Sequence, residues 1–71
     1  MSIRTRHLNP GDQILAPQNL DWEDDEVDWV LFNVVENIKS DNSCVLTVKG
    51  VDGRWGTVSL NPDIGICLIE K

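Results

Sequence analysis

The sequence lacks most of the features that would indicate a membrane, metal or redox protein. Its 71 residues contain no tyrosine, one histidine (His7) and two cysteines that form no CxxC pair. No apolar run approaches the roughly 20 residues of a membrane-spanning helix, and residues 1–9 do not resemble a secretory signal. His7 has no second ligand at a zinc-binding spacing. The composition therefore predicts a cytoplasmic protein with reduced thiols and no membrane segment.

Motifs of catalysis and of cofactor binding are also absent. There is no Ser-His-Asp or Cys-His arrangement, no GxGxxG and no phosphate-binding loop. Asp24, Glu26 and Asp28 alternate like the first ligands of an EF-hand loop. However, Trp29 stands where that loop needs glycine, and Val35 stands where it needs a bidentate acid. We therefore predict a protein that is not an enzyme and that holds no cofactor and no metal.

Basic residues are scarce relative to acidic ones. Six Lys and Arg against twelve Asp and Glu give a net charge of −6. Binding to phosphate backbones depends on Lys and Arg that displace counterions, so this balance disfavours nucleic acid and favours a basic protein partner. A chain of this length forms one small domain with a limited core, and any binding site is therefore expected at its surface.

Short segments rich in β-branched and aromatic residues predict five strands separated by turns. The predicted strands are residues 13–16, 29–39, 44–49, 55–60 and 66–70. Asp52-Gly53 indicates a tight hairpin between the third and fourth of them. Residues 61–63 predict a short 3₁₀ turn before the fifth. Residues 18–28 are polar and acidic without any apolar period, which predicts a long loop after the first strand.

The second predicted strand has an irregular apolar pattern. Val30, Phe32 and Val34 share one parity, whereas Leu31 and Val35 share the other. A β-bulge or a bend that changes the inward-facing parity would explain this pattern. A helix stays open as the alternative, because some apolar positions of the segment approximate a spacing of 3.6 residues.

The hairpin register predicts which side chains are buried. Four aliphatic side chains are expected to share the inner face: Leu46, Val48, Val58 and Leu60. Cys44 and Cys67 lie within apolar strand segments, where cysteine usually packs as a small hydrophobic residue. A disulfide between them is the alternative.

The order of strands and turns resembles the SH3-like small barrel, from residue 8 to residue 69. Residues 56–58, 61–63 and 67–69 are similar to the penultimate strand, the 3₁₀ turn and the last strand of that fold. The turn of residues 9–12 resembles the entry turn of many such barrels, including small accessory proteins of phages and mobile elements. The expected fold is therefore all-β: a single five-stranded SH3-like barrel over residues 8–71, preceded by a flexible basic tail over residues 1–7.

Half of the acidic residues lie in the loop predicted after the first strand. Six of the twelve acids occupy eight consecutive positions, with a tryptophan inside the run and another just after it. Crowding of like charges lowers stability unless a cationic partner relieves it. The candidate partner-binding residues are Asp21, Trp22, Glu23, Asp24, Asp25, Glu26, Asp28, Trp29 and Trp55. The alternative is a solvated loop that only keeps the protein soluble.

The three tryptophans suggest how a basic partner could be held. A tryptophan beside acids attracts Lys or Arg by cation–π and ion-pair interactions, and Trp22 is expected to be the main anchor. Trp29 and Trp55 could instead close an end of the barrel. Binding of Pro-rich peptides, as in the SH3 family, is disfavoured because that groove needs tyrosines. A Tudor-like cage for methylated Lys or Arg would need more aromatic walls than the chain provides.

These observations predict a protein-interaction module that binds a basic surface through its acidic loop. The resemblance to phage accessory proteins implies an inhibitor or regulator of a host nucleic-acid enzyme that occupies a positively charged channel as DNA would, in the host cytoplasm. One alternative is a nucleic-acid-binding barrel that uses Lys39, Lys49 and Arg54. Another is an oligomeric structural or small-ligand-binding protein, and the sequence leaves the oligomeric state open.

Overall fold

Six antiparallel strands make up the computed structural model, which describes residues 1–69. They are β1 (Ser2–Arg4), β2 (Gln13–Pro17), β3 (Trp29–Lys39), β4 (Cys44–Gly50), β5 (Trp55–Leu60) and β6 (Gly65–Ile69). They form one sheet in the order β1-β6-β2-β3-β4-β5. The all-β class is therefore confirmed, and the five strands predicted from the sequence correspond to β2–β6. Residue 70, the predicted end of the fifth strand, lies outside the described residues. No helix in this part of the chain has the length and apolar character needed to cross a membrane.

The sheet is open and is not closed into the expected five-stranded barrel. It has a sixth strand, β1, which pairs with β6, so that β1 and β5 form two separate edges. Within the expected flexible tail of residues 1–7, residues 2–7 lie in β1 and in a 3₁₀ turn over Thr5–His7. The physical reason is burial: Ile3 packs against the core, and the buried Thr5 donates both its N–H and its hydroxyl to the carbonyl of Ile64.

The segment before the last strand is a single turn, as predicted, and it does not form a 3₁₀ helix. The N–H of Ile64 donates to the carbonyl of Asn61 at 3.1 Å. The side-chain oxygen of Asn61 also accepts the N–H of Asp63 at 2.9 Å. This Asx-type bond stabilises a turn without requiring a second helical bond.

A β-bulge in β3 confirms the change of parity that the sequence predicted and excludes the helix alternative. Val34 lies opposite Val48 and Glu36 lies opposite Thr47, which leaves Val35 without a partner. Before the bulge Val34 faces the core. After it Asn37 faces inward, where its amide donates to the backbone carbonyls of Thr5 and Leu8.

The core lies on the inner face of this curved sheet. Its buried side chains are Leu8, Ile14, Ala16, Phe32, Val34, Leu46, Val48, Leu60 and Ile66. The burial predicted for Leu46, Val48 and Leu60 is confirmed, and Val58 packs against them half-buried. Cys44 is buried as expected, whereas Cys67 is exposed. The two thiols are free, so no disulfide links β4 to β6.

Candidate functional site

Residues 18–28, the acidic loop, form a closed loop between β2 and β3. Its ends are joined where the N–H of Gln18 donates to the carbonyl of Asp28 at 2.8 Å. A first turn is closed by Leu20 N–H and the carbonyl of Pro17, also at 2.8 Å, with Leu20 at φ 58°. Close ends and internal turns are typical of an Ω-loop, which holds a defined shape without a sheet.

Two of the six carboxylates in the acidic loop build its turns. Asp21 Oδ1 accepts the N–H of Glu23 at 3.0 Å, and Asp24 Oδ1 accepts the N–H of Glu26 at 3.0 Å. The other oxygen of Asp24 accepts a hydrogen bond from the side-chain amide of Asn19 at 3.0 Å. Asp21 and Asp24 therefore shape the loop, whereas the other four acidic side chains extend from it into solvent: Glu23, Asp25, Glu26 and Asp28.

The charge of the acidic loop is not compensated within residues 1–69. No ion pair in that range involves any of its six carboxylates. The arginines pair elsewhere, since Arg4 and Arg6 both contact Asp63 and Arg54 contacts Asp52. The uneven charge distribution seen in the sequence is therefore kept in the folded structure.

Trp22, expected to be the main anchor for a partner, is only partly exposed. Its side chain is half-buried against the hydrophobic core and contacts the Trp29 ring edge-on, with centroids 6.5 Å apart and planes at 88°. Trp29, at the start of β3, is 47% exposed. Trp22 thus fastens the acidic loop to the sheet, and Trp29 is the tryptophan that presents an aromatic surface beside the acids.

Trp55 begins β5, which is the second strand from β3 in the sheet order. It is opposite Lys49 across β4 and β5, and Lys49 is opposite Asn33, four residues from Trp29 along β3. The Trp55 ring already has a cation over it, the Lys49 ammonium 5.4 Å from its centroid.

A depression that the sequence did not reveal lies between the base of the acidic loop and the β4–β5 hairpin. Its volume is about 110 Å³, with Val30, Leu31 and Phe32 among its lining residues and Gln18 contributed by the loop. On the hairpin side it is lined by Val51, which is 69% exposed. In the sequence, the one sign of this depression is an apolar valine beside the Asp-Gly turn. Its apolar lining suits an aliphatic side chain or the stem of a Lys or Arg.

The structure does not assemble the basic patch of the nucleic-acid alternative. Lys39 lies opposite Cys44, five residues from Lys49 along β4, or about 17 Å. Since side chains alternate between faces, Lys39 and Lys49 also point to opposite sides of the sheet. Arg54 is near Lys49 but is paired with Asp52.

Neither the known protein families nor the curated proteins and solved structures give a match to this chain. Its function is therefore inferred from the contacts and charges described above.

Proposed function

We propose that this protein is a non-enzymatic interaction module that binds a basic surface of a partner protein through its acidic loop. The observation that carries the proposal is the uncompensated charge of that loop. Six carboxylates occupy eight positions and make no ion pair within residues 1–69. Mutual repulsion lowers the stability of such a loop, and a cationic partner relieves the repulsion on binding.

The acidic residues divide into two roles. Glu23, Asp25, Glu26 and Asp28 are exposed and supply the charge that attracts and contacts the partner. Asp21 and Asp24 hold the loop in shape, so that the free carboxylates are displayed at fixed positions.

The aromatic and apolar surfaces beside the loop add to the attraction. The exposed ring of Trp29 can receive a Lys or Arg by a cation–π contact, which contributes about 1 kcal/mol at an exposed site. The neighbouring depression accepts the aliphatic part of such a side chain. Together these features favour a partner surface on which individual Lys or Arg side chains project towards Trp29 and the depression.

Within this proposal the partner is an enzyme of nucleic-acid metabolism, whose channel is a basic surface suited to closely spaced anions. Binding there would exclude the nucleic acid and inhibit or regulate the enzyme. This assignment rests on the resemblance of the sequence, in its turns and apolar segments, to SH3-like barrels that include small accessory proteins of phages and mobile elements. The added strand β1 and the open edges distinguish this chain from that pattern.

Two matched double variants test the proposal. Asp25→Asn/Glu26→Gln removes two charges from the acidic loop, and Glu36→Gln/Asp41→Asn removes the same two residue types elsewhere. All four side chains are exposed and make no ion pair within the described residues. Each protein is used to capture a partner from extract of its native cells, and the partner is then purified and its Kd measured.

We expect the loop variant to weaken binding about fivefold to tenfold, because each exposed ion pair contributes up to about 1 kcal/mol. The control variant should bind within about twofold of the wild type. Equal weakening by both variants would show that only net charge matters, and unchanged binding by the loop variant would overturn the proposal.

A further inference from the structure

The β5 edge of the sheet has backbone groups without partners in the described residues. Gly50 N–H donates to the carbonyl of Arg54 at 2.7 Å, which fixes the phase of hydrogen bonding between β4 and β5. Because bonding alternates along an antiparallel pair, Gly56, Val58 and Leu60 face β4. The N–H and C=O groups of Trp55, Thr57 and Ser59 therefore point away from the sheet.

This edge lacks the features that usually prevent strand addition. The six residues of β5 include no charged residue and no proline, and the strand itself contains no bulge. The opposite edge, β1, is only three residues long and ends at Arg4, which is paired with Asp63. A closed barrel would have had no such edge, so the open sheet leaves β5 available for pairing.

The acidic loop lies against this strand. A Cβ atom at Gly56 would be 2.6 Å from Leu20 Cδ1, so the Leu20 side chain rests on the backbone of β5 at the one position without a side chain. The exposed carboxylate of Asp21 follows Leu20 directly in the chain. A strand added to β5 would therefore run beside a concentrated negative charge.

From this arrangement we infer that β5 binds an extended segment of a basic partner as a seventh strand. Backbone hydrogen bonds to Trp55, Thr57 and Ser59 would hold the segment, as in β-augmentation. Every second side chain of the bound segment would lie on the face of the sheet that the acidic loop contacts. Lys or Arg is favoured at those positions. This inference rests on the proposed function and adds which part of the partner binds, namely an extended basic segment.

Charge complementarity favours this occupant over a second copy of the chain. Pairing of two β5 edges would bring together two chains of net charge −6, each with an acidic loop next to the shared edge. A basic segment instead relieves repulsion in the loop when it pairs.

Amide hydrogen exchange followed by NMR tests the inference. The probes are two blocked peptides with the same number of lysines, one of alternating Lys and Val and one, the Lys-Pro peptide, in which a pair of prolines separates successive lysines. Proline cannot donate a ladder hydrogen bond, so the second peptide keeps the charge but lacks most of its N–H donors along either edge and cannot form a full strand. We expect the Lys-Val peptide to slow exchange at Trp55, Thr57 and Ser59 about tenfold and to affect Gly56 and Val58 less, since those amides are already bonded. The Lys-Pro peptide should leave all five amides unchanged.

The loop variant Asp25→Asn/Glu26→Gln separates this inference from the proposed function. Weaker binding of the Lys-Val peptide to that variant, with protection at the same three amides, supports both. Binding that depends on the loop but gives no protection in β5, or that is equal for the two peptides, would overturn strand addition and leave the acidic loop as the contact.

Protection in β5 that is insensitive to the loop variant would instead count against the proposed function. If the Lys-Val peptide does not bind at a concentration of about 1 mM, strand addition is overturned. A Kd of about 1 mM is the weakest that we expect for a specific contact of this kind. A dimeric mass in light scattering with the β5 amides already protected would assign the edge to a second copy and also overturn the inference.

Discussion

Asp24 has a structural role in the acidic loop as well as a charge. Its two carboxylate oxygens accept hydrogen bonds from Glu26 and Asn19, and the residue is half-buried. We predict that Asp24→Ala lowers the free energy of unfolding by about 1 kcal/mol, since each net hydrogen bond contributes on that order. Urea unfolding measures the change. Asp25→Ala removes the same charge without a hydrogen bond, and a comparable loss in that variant would contradict the assignment.

Trp22 and Trp55 provide a second comparison at the scale of single residues. Trp22 packs against the core and against Trp29, whereas Trp55 is 62% exposed. We predict that Trp22→Ala lowers the free energy of unfolding by about 2 kcal/mol, less than for a fully buried tryptophan. Trp55→Ala should change it by less than about 0.5 kcal/mol. Thermal unfolding of the two variants measures both losses of stability. A larger loss for Trp55→Ala than for Trp22→Ala would show that Trp22 is not part of the packed structure.

Gly53 controls the hairpin between β4 and β5. It has φ 89° and closes a turn in which its N–H donates to the carbonyl of Gly50 at 3.0 Å. We predict that Gly53→Ala destabilises the protein by about 1 kcal/mol, because a side chain at positive φ is strained. Gly53→Asn should cost less, since asparagine tolerates this region. Chemical denaturation of both variants tests the ranking, and equal stability of wild type and Gly53→Ala would refute it.

Much of the element order could be predicted from local patterns. The Asp-Gly turn, the apolar runs and the parity change in β3 depend on neighbouring residues, and each predicts its own strand or turn. Strand β1 could not be predicted in this way. Residues 2–4 carry little apolar character and become ordered only because β6, more than 60 positions later, offers them a partner and Ile3 a place in the core. Barrel closure is a similarly long-range property.

The candidate site was predictable as composition but not as geometry. The run of acids from Asp21 to Asp28 is visible in the sequence, and the structure leaves it exposed and without internal ion pairs among residues 1–69. Which of the carboxylates form turns depends on backbone conformation, and so does the burial of Trp22. The depression next to the loop joins residues of three segments, and no single segment indicates it.

At the scale of the whole molecule, charge is divided between a nearly balanced sheet and an acidic loop. Outside the eight positions that hold six acids, six acids remain against six Lys and Arg. Arginines pair with Asp52 and with Asp63, and these ion pairs neutralise charge outside the acidic loop. The net charge is therefore concentrated in one loop, whose direction relative to β5 and Trp29 is fixed by Leu20 and Trp22.

The most direct test of this account is the association rate of the purified partner as a function of salt. Concentrated charge steers association, and this contribution is screened as the Debye length falls from about 10 Å at 0.1 M salt to about 3 Å at 1 M. We predict that the rate for wild type and for Glu36→Gln/Asp41→Asn falls steeply with salt. The rate for Asp25→Asn/Glu26→Gln should start several-fold lower and fall less. A loop variant with the same rate and the same salt dependence as the wild type would contradict the central claim that the acidic loop is the binding surface.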